Sequence, residues 1–271
     1  MNEYVQIEFQ HITAEQSSIL IALLSENGFE GFEENEIGLK AFITAKEFDE
    51  SCLKKITSQQ RVEFNKTIIG ETNWNKVWES NFNPVIADDF VAIRADFHEK
   101  IKDVKHEIII TPKMSFGTGH HATTYMMIEQ MRLIDFHDKI VLDFGTGTGL
   151  LAILAEKLGA RQIVAIDNDA WSIRNAEENI KMNNCSRIEI QKADLAIRNN
   201  PFDIILANIT KNVILDNFSI LTSQLVSGGT LLISGLLSGD ENDIFRKMDE
   251  YSLHLIQTSV RNNWLCLRFS C

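Results

Sequence analysis

The chain has 271 residues, 26 of them basic and 38 acidic, for a formal net charge of −12 at neutral pH. Such a balance argues against stable, phosphate-dominated nucleic-acid binding, which needs clustered lysine and arginine to release counterions. The length exceeds one typical domain of roughly 100–200 residues, and 44% hydrophobic content suits a packed globule, so two domains are expected.

Tyr4 to Phe9 reads as an opening strand, and Thr13-Ala14-Glu15-Gln16 has the form of a capping box ahead of the apolar run Ile19 to Leu24. Gly28 closes that helix. Phe29–Glu33 and Ile37–Ala45 are predicted as strands around the polar turn Glu34-Asn35-Glu36, then Lys46–Ile56 as a helix and Val62–Ile69 as a strand. The order βαββαβ is that of a small α+β ferredoxin-like domain, placed at residues 1–70.

A connector occupies residues 71–84. Trp74, Trp78 and Phe82 recur four residues apart, which places three aromatics near one face of a helix that Pro84 ends, and core packing is the expected role of such a stripe.

From residue 85 to 271 strands alternate with helices. Val91–Ala95 and Glu107–Thr111 are expected strands, and a glycine-rich loop from Pro112 to His121 leads to a helix from Ala122. Strands are then predicted at 139–144, 162–166, 188–191, 202–207 and 229–236, with helices at 150–158, 170–183, 213–226 and 241–250. His254–Thr258 and Trp264–Phe269 should form a closing antiparallel pair. The pattern predicts an α/β, Rossmann-like domain with a mainly parallel sheet.

The charge is uneven. Residues 1–83 hold 14 acidic and 7 basic side chains, net −7, with Glu26, Glu30, Glu33, Glu34 and Glu36 close together. A solvated face is one reading, and an acidic landing surface for a basic protein is the other. No apolar run approaches the roughly 18 residues that span a bilayer, and nothing at the N-terminus resembles a signal peptide, so a cytoplasmic protein with no membrane partner is expected. Cys52, Cys185, Cys266 and Cys271 form no Cys-x-x-Cys pair and read as reduced thiols, without metal.

The chemistry-bearing segment is Val141-Leu-Asp-Phe-Gly145-Thr-Gly147-Thr-Gly149, between a buried strand and a helix. Glycines there let backbone N–H groups and a helix N-terminus approach a ligand. The dinucleotide fingerprint would need a further glycine where Leu150 stands. Asp167 ends the next strand, where a carboxylate can accept from ribose hydroxyls. One of Asp167, Asn168 and Asp169 should instead cap the following helix. Asp194 comes after the third strand and could accept from an adenine amino group. Asn208, in Leu206-Ala-Asn-Ile-Thr210, lies at the carboxyl edge of the fourth strand. There its oxygen could accept from an amine and aim its lone pair, or the residue could cap a helix.

The glycine spacing, the acidic strand end and the Asn-led edge together describe the class I fold that binds S-adenosylmethionine. The chain resembles, over nearly its whole length, the PrmA family, the methyltransferases of a large-subunit ribosomal protein. The resemblance rests on the ferredoxin-like leader, the W-x-x-x-W-x-x-x-F-x-P connector at Trp74 to Pro84, the Phe116-Gly-Thr-Gly119 loop, Thr123-Thr124 and Leu206-Ala-Asn-Ile209. It implies an enzyme that uses S-adenosylmethionine to methylate lysine ε-amines and the N-terminal α-amine of the free ribosomal protein, rather than rRNA, and whose first domain recognises that substrate. Thr124, Gly145, Asp167 and Asn208 would then contact the cofactor, with Gly147 and Asp194 beside them and Asn208 positioning the amine. The usual loop reads G-T-H-P-T-T. Here His120 and Ala122 replace Thr and Pro, a departure expected to loosen the loop, and His120 is read as supplying shape or a hydrogen bond rather than a base. The competing readings are a methyltransferase acting on RNA or a small molecule, and a non-catalytic cofactor-binding adaptor.

Overall fold

The computed structural model describes residues 4–25, 27–29, 31–35, 38–69, 82–111, 117–195, 201–251 and 253–271. Trp74, Trp78 and Phe116, and Glu26, Glu30 and Glu36 of the acidic cluster, lie outside them. The chain forms two compact units, residues 1–81 and 82–271.

In the first unit the strands are β1 (Tyr4–Gln10), β2 (Gly31–Asn35), β3 (Gly38–Thr44) and β4 (Asn65–Ile69), with helices α1 (Ala14–Ser25) and α2 (Glu50–Gln60). The sheet order is β2-β3-β1-β4 with every neighbouring pair antiparallel, which is the ferredoxin-like arrangement. Along β1 the alternate residues Val5, Ile7 and Phe9 are buried, and they share a core with Leu20 and Leu24 of α1 and Leu53 and Ile56 of α2. The capping box is formed: the Gln16 N–H donates to Thr13 Oγ1 at 3.2 Å and the Thr13 N–H donates to Gln16 Oε1 at 2.9 Å.

Two expectations here are corrected. Helix α2 begins at Glu50 rather than Lys46, because Asp49 is its cap and accepts the Ser51 and Cys52 N–H groups. Strand β2 runs on through Glu34 and Asn35, pairing them with Leu39 and Gly38, so these polar residues belong to the ladder rather than to the turn.

In the second unit β5 (Val85–Ala87), β6 (Val91–Arg94) and β7 (His106–Ile109) form a small separate sheet. Strand β5 is additional to the expected elements, and its partners stay out of the main sheet. The unit continues with α3 (Ala122–Met131), β8 (Ile140–Phe144), α4 (Leu150–Lys157), β9 (Gln162–Asp167), α5 (Ala170–Met182), β10 (Ile188–Lys192), β11 (Phe202–Asn208), α6 (Lys211–Ser223), β12 (Leu225–Leu237), α7 (Glu241–Glu250), β13 (His254–Arg261) and β14 (Trp264–Ser270).

The seven-stranded order is β10-β9-β8-β11-β12-β14-β13, parallel from β10 to β12 and closed by antiparallel β14 and β13. Successive residues of β9 enter opposite cores: Ile163 and Ala165 join Met127 of α3 and Ile153 of α4, while Val164 and Ile166 join Phe218 of α6 and Ile244 of α7. A strand buried on both faces reads as the continuous apolar run seen here. The expected helix to Val226 stops at Ser223, and β12 starts at Leu225, opposite Phe202. Its register with β11 then shifts before Thr230 meets Ile204, which is why only its later part reads as a strand in the sequence. From β8 the chain runs outward through β9 and β10 on one side and then crosses to β11 on the other, so a crevice opens at the carboxyl ends of these strands, where open α/β sheets bind ligands.

Candidate active site

That crevice is a cavity of about 690 Å³ whose lining includes Gly145 and Gly147 after β8, Asp167 at the end of β9, Asp194 after β10 and Asn208 at the end of β11. Five of the six residues singled out from sequence therefore meet around one space. The sixth, Thr124, is buried and stands behind the wall: its Oγ1 accepts the Asn208 Nδ2–H at 3.1 Å. Its neighbours His121 and Thr123 line the cavity instead.

The glycine turn is held from several sides. Gly145, Gly147 and Gly149 all have positive φ, at 76°, 55° and 80°. A Cβ on Gly145 would run into Ile209 Cγ2, so the residue must be glycine on two counts. The Gly145 and Thr146 N–H groups donate to the Ile166 carbonyl, tying the turn to β9. Asp167 completes the tie, its Oδ2 accepting the Gly147 N–H at 3.0 Å and its Oδ1 the Asp169 N–H at 3.0 Å. Each oxygen keeps a second lone pair for a ligand hydroxyl. Among the three candidates for helix capping, Asp169 caps α5 by accepting from the Ser172 N–H, which leaves Asp167 to the cavity.

Asp143, part of the motif but given no role from sequence, proves to be the anchor beneath the turn. It is buried, and its Oδ2 accepts the Thr146 hydroxyl at 2.6 Å and the Ala152 N–H at 3.2 Å. Burial pushes its carboxyl up to about 6, against the lowering effect of those hydrogen bonds, and the nearby Asp167 charge adds to the rise. The available signal was a lone acid inside an otherwise apolar strand, which must be either partnered or neutral.

At the other wall, His121 caps α3, its Nδ1 accepting the Thr123 N–H and lying 2.7 Å from Thr123 Oγ1, and its ring meets Trp264 edge-on at 4.7 Å. Ala122 occupies the first helical position, where proline would be pre-organised, and the cap secures the helix start without it. His120 is outside the cavity. Its Nε2 reaches the Asn83 carbonyl at 2.8 Å and its Nδ1 the Thr118 hydroxyl at 3.1 Å, while its ring packs on Phe82. Phe82, the described member of the aromatic stripe, is buried there.

Asn208 is buried, and its Oδ1 has no hydrogen-bond partner. It caps no helix, since Thr210 holds the cap position of α6. A buried acceptor left without a donor costs about 1–3 kcal/mol, and on a cavity wall it marks where a ligand N–H or O–H is expected. The rest of the lining fits a nucleoside with an amino-acid tail: carboxylates at Asp167 and Asp194 for hydroxyl and amino donors, a glycine cradle, and apolar Phe144, Ile166, Ile209 and Trp264. Among the described residues no group of three His, Cys, Asp or Glu is placed to hold a metal ion.

A five-strand parallel run closed by an antiparallel pair, with a glycine turn and an acidic strand end around one cavity, defines a class I S-adenosylmethionine-dependent methyltransferase. Solved structures agree. A ribosomal protein L11 methylase from Lactobacillus delbrueckii subsp. bulgaricus superposes with a TM-score of 0.65 at 29% identity, over 70% of this chain and 98% of that one. A methyltransferase from Pyrococcus furiosus shares the fold at a TM-score of 0.50 and 18% identity, over 60% of this chain and 88% of that one.

The chain belongs to the ribosomal protein L11 methyltransferase (PrmA) family, whose profile matches residues 4–271. Relatives bearing that name include one from Porphyromonas gingivalis, 40% identical over 93% of this chain and 90% of its own length. Another, from Chlorobaculum parvum, is 36% identical over 97% and 95%. The protein is thus a methyltransferase that uses S-adenosylmethionine. Among the described residues no helix is long and apolar enough to cross a membrane.

Proposed function

We propose that this protein methylates amines of ribosomal protein L11, both lysine ε-amines and the N-terminal α-amine, with the free protein rather than rRNA as its substrate. Its relatives carry the name of that substrate, and the net charge of −12 suits a basic protein partner better than a polyanion.

The observation that carries the amine chemistry is the unpartnered Asn208 Oδ1. S-adenosylmethionine supplies a methyl group already activated on a sulfonium, so transfer to an amine demands alignment rather than acid catalysis. Asp167, with the glycine turn it closes, is suited to the ribose, and Asp194 to the adenine amino group. Asn208 Oδ1 accepts an N–H of the incoming amine and so aims the nitrogen lone pair. A lysine amine has an ordinary pKa of about 10.4. The apolar surfaces of Phe144, Ile209, Val213 and Trp264 disfavour its ammonium form and promote the neutral nucleophile.

The first unit, as the recognition domain, brings the ribosomal protein to the second. Incubating the enzyme with labelled S-adenosylmethionine and a ribosome-free extract tests the substrate class. Label in one small basic protein is expected, whereas label confined to RNA or metabolites would overturn the proposal.

A further inference from the structure

Lys211 is the first residue of α6, where a cation meets the positive end of the helix dipole and weakens the helix rather than supporting it. Its Nζ reaches Asp240 Oδ1 at 2.7 Å and Asp243 Oδ2 at 3.1 Å, at the start of α7. The three side chains are between 19% and 38% exposed, so their attraction is less screened than that of a pair in open solvent. From Asp240 the connection runs on. Its Oδ2 accepts the Leu237 N–H at 2.8 Å, and Leu237 stands opposite Trp264 in the β12–β14 ladder. The Ser238 N–H donates to the Asn263 carbonyl at 3.0 Å, in the turn just before Trp264. On its other side Lys211 follows Asn208, Ile209 and Thr210, and these three line the same cavity as Trp264. The Ile209 N–H also donates to the Ser234 carbonyl at 3.2 Å, and a Cβ on Gly235 would collide with the Ile209 carbonyl. The end of β11 and the later part of β12 are therefore joined twice, by close backbone contact and by the Lys211 ion pair.

We infer that Lys211 is a positioning residue: through Asp240 and Leu237 it holds the Asn208 to Thr210 wall against the Trp264 wall and so sets the width of the part of the cavity that admits the amine. The role rests on the proposal that the substrate amine enters between these walls. Neither Lys211 nor Asp240 lines the cavity, so the effect passes through the backbone rather than through contact with substrate or cofactor. Lys211→Met removes the charge and keeps a long apolar stem. Lys211→Arg retains a cation that can meet both carboxylates.

Fluorine magnetic resonance of enzyme labelled with 5-fluorotryptophan reads the Trp264 wall without any turnover, the Trp264 signal being assigned by its loss in Trp264→Phe. Lys211→Met, or Asp240→Asn if the methionine variant does not fold, should shift or broaden that signal and leave the Trp171 signal in place. Lys211→Arg should restore it. With an L11 substrate, Lys211→Met should lower kcat/KM by about fivefold, while the affinity for S-adenosylhomocysteine, measured by calorimetry, stays within about twofold. Arginine should recover most of the rate. The double variant Lys211→Met, Asp240→Asn should be no slower than the slower single variant, because both substitutions break one contact.

An unmoved Trp264 signal in Lys211→Met would overturn the inference, as would additive losses in the double variant or a loss confined to S-adenosylhomocysteine affinity. If the wild-type enzyme fails to methylate L11, the substrate proposal falls, while the fluorine spectra still decide whether Lys211 holds the Trp264 wall.

Discussion

Asp167 Oδ2 accepts the Gly147 N–H at 3.0 Å, so the carboxylate that ends β9 also closes the turn that leaves β8. If Asp167 also accepts from the cofactor, as proposed, cofactor affinity and turn geometry are coupled through one side chain. Asp167→Ala should weaken S-adenosylhomocysteine binding by on the order of 1–3 kcal/mol, about 5- to 150-fold, because the ligand loses a charged acceptor and the turn loses its brace. Asp167→Asn, which keeps one acceptor oxygen, should lose less. Wild-type affinity in Asp167→Ala by calorimetry would refute the assignment.

Gly145 has φ +76° and faces Ile209, so Gly145→Ala meets both backbone strain and a steric block. Together these should cost about 2–4 kcal/mol in folding free energy. Adding Ile209→Ala should recover the steric part but not the backbone part. Denaturant midpoints of the two variants measure the division, and full recovery in the double variant would show that the backbone term is negligible.

Asp143 titrates near 6 in the folded chain against an ordinary 3.8, chiefly because it is buried. A folded-state value above the unfolded one stabilises the protonated, folded form. That contribution is complete below pH 3.8 and is lost as pH rises through 6. The shift corresponds to at most about 3 kcal/mol. Relative to wild type, Asp143→Asn should therefore gain stability steadily between about pH 4 and 6 and level off above that range. Chemical denaturation across this range checks it, and a difference independent of pH would contradict it.

Strand ends and glycine turns are written locally, and they read well. Asp167, Asn208 and the Gly145 to Gly149 run sit where their spacing put them, because residue order alone decides which side chains stand just beyond a buried strand. Tertiary relations read less well. Thr124 belongs to the right loop, yet only the approach of α3 to β11 turns its hydroxyl toward Asn208 rather than into the cavity. Asp143 gains its role only when the folded turn brings Thr146 and Ala152 over it. The start of α2 is displaced because the cap at Asp49 outweighs the helix-compatible residues before it. Strand β5 has only three residues, Val85 to Ala87, too few to show an alternation of their own.

The two units carry separate hydrophobic cores, one built around Ile7, Phe9 and Leu20 and the others flanking the seven-stranded sheet. Deleting the residues before Trp74 should therefore spare S-adenosylhomocysteine binding and abolish methylation of the protein substrate. Glu33 is exposed on β2. Reversing it together with Glu30, Glu34 and Glu36 should weaken substrate binding, most visibly at low salt where charge attraction is least screened. Retained L11 methylation by the truncated enzyme, or unchanged substrate affinity in the reversed variant, would argue against recognition by this unit.

Intact-mass spectrometry of purified L11, after incubation with S-adenosylmethionine and enzyme, shows whether Asn208 Oδ1 directs an amine of L11 toward methyl transfer. Wild type should add methyl groups that map to lysine side chains and the N-terminus, and Asn208→Ala should leave L11 essentially unmodified while still binding S-adenosylhomocysteine. Unmodified L11 with the wild-type enzyme, or full methylation by Asn208→Ala, would show that Asn208 does not play that part.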